Sequence, residues 1–179
     1  GKVPAFDRFM RLMVDDWFVL TCLSLGMIIL WLGARSSAQR ERNQRAVWGA
    51  AWGVGISSLW YHLFRINDVF DRARPFEEHA VNLLTYMRTD QSFPSEAAAV
   101  GFAFATAIWI GNRRAGLALG FLAFLWAFAR VYCGIHYPSD VVVGALIGIS
   151  TSFLMFFIWR ILKIAPDSFI KFMQWVHLA

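Results

Sequence analysis

Residues 17–34 run for 18 positions without a charge. A helix of that length rises about 27 Å, close to the thickness of the hydrocarbon core of a bilayer. Four more runs are predominantly apolar: 46–64, 96–110, 115–132 and 141–159. Inside hydrocarbon the backbone must satisfy its own polar groups, so runs of this kind fold as helices. The sequence therefore predicts an all-α integral membrane protein, a bundle of about five transmembrane helices. Composition agrees, with 58% hydrophobic and 16% charged residues against about 25% charged in a soluble domain. A length of 179 residues with no internal repeat predicts a single membrane-embedded domain, 1–179.

Both ends carry a further signal. Phe6, Phe9, Met10 and Met13 recur at helical spacing, with Asp7, Arg8 and Arg11 elsewhere on the wheel. Phe169, Phe172, Met173 and Val176 repeat the pattern in the tail. Each end predicts an interfacial amphipathic helix. The charged start leads into a span with no small-residue cleavage site, so no cleavable signal peptide is expected. The start at Gly1 in place of Met suggests a trimmed chain. Cys22 and Cys133 fall in or beside apolar runs and read as buried thiols.

Five spans assign the links alternately to two sides. Links 35–45 and 112–114 and the tail 160–179 hold nine of the 17 Lys and Arg but only two acids, Glu41 and Asp167. The positive-inside rule places them in the cytoplasm. Three unusual blocks then share the outer face. They are R-I-N-D-V-F-D-R-A-R-P at 65–75, S-F-P-S-E-A-A at 92–98, and A-R-V-Y-C-G-I-H-Y-P-S-D at 129–140. Between the first two blocks, residues 80–87 are less polar and predict a helix at the surface or over the site.

Ionisable groups at span ends point to function, and these blocks suit an anion. Arg74 and Arg130 are planar forks for phosphate oxygens. Ser95 stands just ahead of a helix, where a hydroxyl and free N–H groups bind anions, although it reads equally well as an N-cap. His136 and Asp140, four apart, share one face of a helix, with Asp140 holding one ring nitrogen. Arg72 is as readily a headgroup anchor as a ligand. Arg65 reads as a snorkelling anchor, and His62 and His79 as non-catalytic. Asp68 and Asp71 lack the spacing of a metal cage, so no metal and no cofactor is expected. The basic residues are too few and too dispersed for a nucleic-acid groove.

Together the blocks resemble the type 2 phosphatidic acid phosphatase superfamily, whose pattern is K-x6-R-P, then P-S-G-H, then S-R-x5-H-x3-D. The likeness covers about residues 46–160. Arg74 and Pro75, Pro94 and Ser95, and Arg130, His136 and Asp140 match. The resemblance implies that His136 attacks phosphorus and becomes phosphorylated, and that Asp140 orients it. Arg74, Arg130, Ser95 and nearby backbone N–H groups would hold the phosphoryl oxygens.

Four positions depart from the pattern. Asn67 stands for the Lys, Glu96 for the Gly, Ala129 for the first Ser and Ala97 for the His that protonates the leaving oxygen. Ala97 implies a disabled enzyme, by a His-to-Ala change, or a relative working without the acid. The short chain and Asn67 look most like bacterial undecaprenyl pyrophosphate phosphatases of the bacitracin-resistance type. A phosphatidylglycerophosphate or phosphatidic acid phosphatase remains open. So does a non-catalytic protein that binds lipid phosphates, while a small transporter ranks last. The implied partners are the bilayer and a lipid phosphate. The implied location is the bacterial plasma membrane, with the site extracytoplasmic.

Overall fold

The computed structural model describes residues 3–66 and 72–162, and these contain helices and no strands. Asn67, Asp68, Asp71 and the tail helix lie outside the described residues, as does the side chain of Arg65. The order is α1 (Pro4–Val14), α2 (Asp16–Leu32), α3 (Ser37–Ile66), α4 (Pro75–Glu78), α5 (Glu96–Gly111), α6 (Arg113–Tyr132) and α7 (Pro138–Leu162).

Local chemistry sets the breaks. The Asp15 carboxylate accepts from Phe18 N (2.8 Å) and caps α2. The chain bends by 64° between α1 and α2. Asn112 accepts from Ala115 N (3.2 Å), ending α5 and opening α6 in one step. Residues 37–45, expected as a polar link, are instead the first turns of α3. Ser36 Oγ accepts from Gln39 N (3.3 Å), and Arg45 pairs with Glu41 one turn earlier (2.6 Å). Such i,i+4 pairs let a charged stretch stay helical.

Among the described residues two helices, Arg113–Tyr132 and Pro138–Ile161, are long and apolar enough to cross a membrane, with a third if Pro4–Val14 and Asp16–Leu32 form one bent span. Helix α5 is apolar but shorter, and the charged first turns of α3 dilute its apolar stretch.

Helix α5 is the centre of the bundle and packs against α3, α6 and α7. Its buried residues are mostly small, including Ala97, Ala98, Ala99, Gly101 and Ala103, which lets backbones approach closely. The tightest approach is to α7. A Cβ on Gly144 would fall 2.3 Å from the Ser95 carbonyl oxygen, and one on Gly148 2.1 Å from that of Ala99.

Helix α1 buries Met10, Met13 and Val14 against Ala129, Cys133 and Ile135, while Phe6, Phe9 and Leu12 stay exposed. The N-terminal segment thus rests on the loop that follows α6.

Residues 80–87 are irregular, not the expected helix. Tertiary contacts hold them: Leu84 N donates to the Cys133 carbonyl, and Leu83 and Leu84 pack on the α1–α6 cluster.

Candidate active site

Described residues of all three blocks meet around a cavity of about 270 Å³. Arg74, Arg130 and His136 line it, together with Ala97 and Glu96 from the first turn of α5.

Arg74 is 1% exposed and ends the irregular segment before α4. Its Nε donates to the Asp90 carbonyl (2.8 Å) and its Nη1 to the Ile135 carbonyl (2.7 Å). Its Nη2 donates to the Asp90 carboxylate (2.9 Å) and the Gln91 carbonyl (3.1 Å). Asp90 is held further by the Tyr61 hydroxyl (3.0 Å). Burial works to raise the Asp90 pKa, but Arg74 and Tyr61 outweigh it and keep the carboxyl below the usual range.

His136 follows α6 in a short turn. Its Nδ1 lies 2.8 Å from the Ser92 carbonyl oxygen. A carbonyl only accepts, so Nδ1 carries the proton and Nε2 keeps its lone pair. Nε2 lies 3.3 Å from Arg74 Nη1, which can only donate. Burial first, then the charges of Arg130 and Arg74, push the His136 pKa down from 6.5 to about 4, against the pull of Asp140. At neutral pH the ring is a neutral imidazole with an unprotonated Nε2 facing Arg74, the form a nucleophile needs.

Asp140 does not hold the ring nitrogen at hydrogen-bond distance; its Oδ2 is 3.8 Å from His136 Nδ1. That oxygen instead accepts from Ser92 Oγ (2.5 Å) and Tyr137 N (2.9 Å). Oδ1 accepts from Arg72 Nη1 (2.7 Å), which also reaches Ser139 Oγ and lies over the Tyr137 ring. Asp140 thus braces the turn and the Ser92 backbone, and Ser92 holds the ring. The N-terminal end of α5 holds Asp140 as well, since Ser95 N donates to its carbonyl (3.0 Å).

Ser95 occupies the N-cap position of α5 but its side chain caps nothing. Its Oγ is buried with no hydrogen-bond partner among the described residues, and it is not part of the cavity lining. Glu96, which replaces a Gly of the pattern, accepts from Ser58 Oγ (3.1 Å).

Four contributors were not singled out from sequence. Asp16, Arg88 and Asp90 line the cavity, and Ser92 supports His136. Asp16 binds both Arg130 and Arg88 through its two carboxylate oxygens. Among the described residues, no group of three or more His, Cys, Asp or Glu is arranged to hold a metal ion.

Residues 46–163, about two thirds of the chain, match the PAP2 superfamily. This chain belongs to that superfamily. Among PAP2-type relatives, undecaprenyl-diphosphatase BcrC of Bacillus subtilis (strain 168) is 29% identical over 139 residues, 78% of this chain and 68% of the relative. Putative undecaprenyl-diphosphatase YbjG of Escherichia coli (strain K12) is 32% identical over 143 residues, 79% and 69% of the two chains. The crystal structure of Aquifex aeolicus LpxE superposes with a TM-score of 0.68 at 26% identity, over 86% of this chain and 87% of that one. A PAP2 type phosphatidylglycerolphosphate phosphatase from Bacillus subtilis superposes at 0.58 and 19% identity, over 86% and 76%, a likeness of fold alone. With its apolar helices, PAP2 membership makes the chain an integral membrane protein of a phosphate-ester and diphosphate hydrolase family.

Proposed function

We propose that this protein is a lipid phosphatase that removes the terminal phosphate of an isoprenyl diphosphate at the extracytoplasmic face of a bacterial plasma membrane. The observation that carries the reading is His136. Its tautomer is set by the Ser92 carbonyl, its unprotonated Nε2 faces Arg74, and it lines a cavity with two more arginines. Nε2 attacks phosphorus and forms a phosphohistidine, which water then hydrolyses. Arg74 and Arg130 stabilise the charge that builds on the phosphoryl oxygens. Asp140 acts through Ser92 and the Tyr137 turn to position the ring.

The whole chain is one domain in this reading. Helices α2, α3, α5, α6 and α7 are the five spans, α1 lies at the interface, and the Arg-rich start of α3 faces the cytoplasm. The names of the BcrC and YbjG relatives favour a diphosphate over a monoester. Ala97 favours it too, because a phosphate leaves without the proton that an alkoxide needs.

A second reading has one observation behind it. Ala97 puts a methyl group on the cavity wall where the superfamily pattern has its acid, and a protein that only binds lipid phosphates would tolerate this. Phosphate release from a panel of lipid mono- and diphosphates, by this chain and by Ala97→His, separates the two. Turnover of a diphosphate by the unaltered chain supports the phosphatase. No release by either protein, with binding retained, supports the binder.

A further inference from the structure

Arg88 lies in the irregular segment between α4 and α5 and is not among the residues that match the superfamily pattern. It nevertheless lines the cavity. Its Nη2 binds one oxygen of Asp16, and Arg130 Nη2 binds the other, so one carboxylate bridges two guanidinium groups. The Tyr86 hydroxyl is 2.7 Å from the same Arg88 Nη2.

Both arginines keep a donor unused. Arg88 Nε and Arg130 Nε are buried without a hydrogen-bond partner among the described residues, and so is the indole Nε1 of Trp126, which lines the same cavity. Buried donors left unpaired are costly and call for an acceptor. Three of them around one cavity, beside a carboxylate shared by two arginines, describe an anion site in which Asp16 occupies part of the place of the ligand. Asp16 is suited to give way, since its side chain is 28% exposed while Arg130 is 2% exposed.

The three arginines also differ in what they touch. Arg74 touches His136 Nε2, and Arg130 binds one oxygen of Asp16. Arg88 instead binds the Asp16 oxygen that Arg130 does not. It stands on the far side of the shared carboxylate, where a second phosphate would extend from a first one held at Arg74 and Arg130.

We propose that Arg88 is the binding residue for the second phosphate of a diphosphate substrate, and that Asp16 is its exchangeable counter-ion. The inference rests on the phosphatase reading above and deepens it. On attack, the bond from His136 Nε2 to the terminal phosphorus forms, and the bond from that phosphorus to the bridging oxygen breaks. The electron pair stays on the bridging oxygen, which becomes an oxygen of the departing monophosphate. Arg88 faces that new charge, so the step proceeds with no proton from position 97. A lipid monoester has no group to reach Arg88, so the residue selects diphosphates over monoesters.

The test is anion binding to the detergent-solubilised protein by calorimetry, with methylenediphosphonate and methylphosphonate as probes. The unaltered chain should bind the diphosphonate more tightly. Arg88→Gln should weaken the diphosphonate by about 10- to 100-fold, the range for losing a charged hydrogen bond, and leave methylphosphonate within about threefold by the same reasoning. Arg88→Lys, which keeps the charge but loses the fork, should fall between. Asp16→Asn should tighten both probes, a gain that damage to the fold cannot mimic. Equal losses for both probes in Arg88→Gln, or weaker binding in Asp16→Asn, overturn the assignment while the phosphatase reading stands. Failure of the unaltered chain to bind either probe overturns both.

Discussion

Arg74 Nη1 lies 3.3 Å from His136 Nε2, and the same Nη1 is 2.7 Å from the Ile135 carbonyl. One guanidinium therefore fixes the residue before the nucleophile and touches the nucleophile itself. Four protein acceptors share its donors, from Asp90, Gln91 and Ile135. Lys cannot reproduce that fork. Arg74→Lys should lower turnover by about 10²–10³-fold, the usual loss on removing a donor that stabilises developing charge. Vanadate affinity should fall in parallel. Normal turnover with normal vanadate binding would show that Arg74 only supports the loop.

Position 97 tests the leaving group. Ala97→His should raise turnover of a lipid monoester by about 10²–10⁴-fold, the span of general acid catalysis. The gain for a diphosphate should be far smaller. His136→Ala should leave almost nothing in either background. Equal gains for the two substrates would mean that the diphosphate leaving group also needs a proton.

Protonation of His136 is a stability statement. Its pKa is about 4 in the folded protein against an ordinary 6.5, because burial disfavours the charged ring. Above the ordinary value neither state binds the proton, and the group is neutral to stability. As pH falls below it, the unfolded chain takes up the proton first, so stability should decline between pH 6.5 and about 4. His136→Gln should remove that part of the slope in a detergent melt series. NMR of the labelled imidazole should show the neutral Nδ1–H form at pH 6; a charged ring there would contradict the assignment.

Ser92 links Asp140 to His136 through two different groups, its hydroxyl and its carbonyl. Ser92→Ala keeps the carbonyl and removes the hydroxyl, leaving a buried carboxylate oxygen short of a donor. That should cost about 1–3 kcal/mol of stability and reduce turnover with little change in substrate affinity. A thermal midpoint and a kcat-against-KM comparison check it; a pure stability loss with unchanged kcat would remove Ser92 from the positioning chain.

The α5–α7 seam should tolerate no side chain at Gly148. Its Cβ would meet the Ala99 carbonyl oxygen at 2.1 Å and Ala103 N at 2.8 Å, both rigid backbone. Gly148→Val should destabilise by at least the ~1–3 kcal/mol typical of overpacking. Because α5 carries Glu96 and Ala97 to the cavity, turnover should drop as well. Gly55→Ala, with open space around it, is the control.

Hydropathy and helical period are local properties, and they located α1, α2, α5, α6 and α7 to within a few residues. They placed the start of α3 too late, because charges that read as a link satisfy one another along a helix, as Glu41 and Arg45 do. They placed a helix at 80–87, where contacts to Cys133 and the α1–α6 cluster hold the chain irregular. Arg74, Ala97, Glu96, Arg130 and His136 were legible as spaced motifs at span ends, and the cavity gathers them.

The partners of those residues were decided by packing alone. Asp16 reaches Arg88 and Arg130 across 72 and 114 positions of sequence, only because α1 and α2 fold back over the end of α6. From sequence Asp16 and Asp90 are indistinguishable from acids facing water. The proton on His136 Nδ1 goes to a backbone carbonyl, and every residue carries one, so no residue type could signal it. The sequence by itself determined which side chains could handle a phosphate and which stretches could enter a membrane, because both follow from residue chemistry and local spacing. Only the tertiary structure decided which charges face one another, because burial and distance, not identity, set whether a carboxylate is a solvated surface group or the counter-ion of a buried arginine.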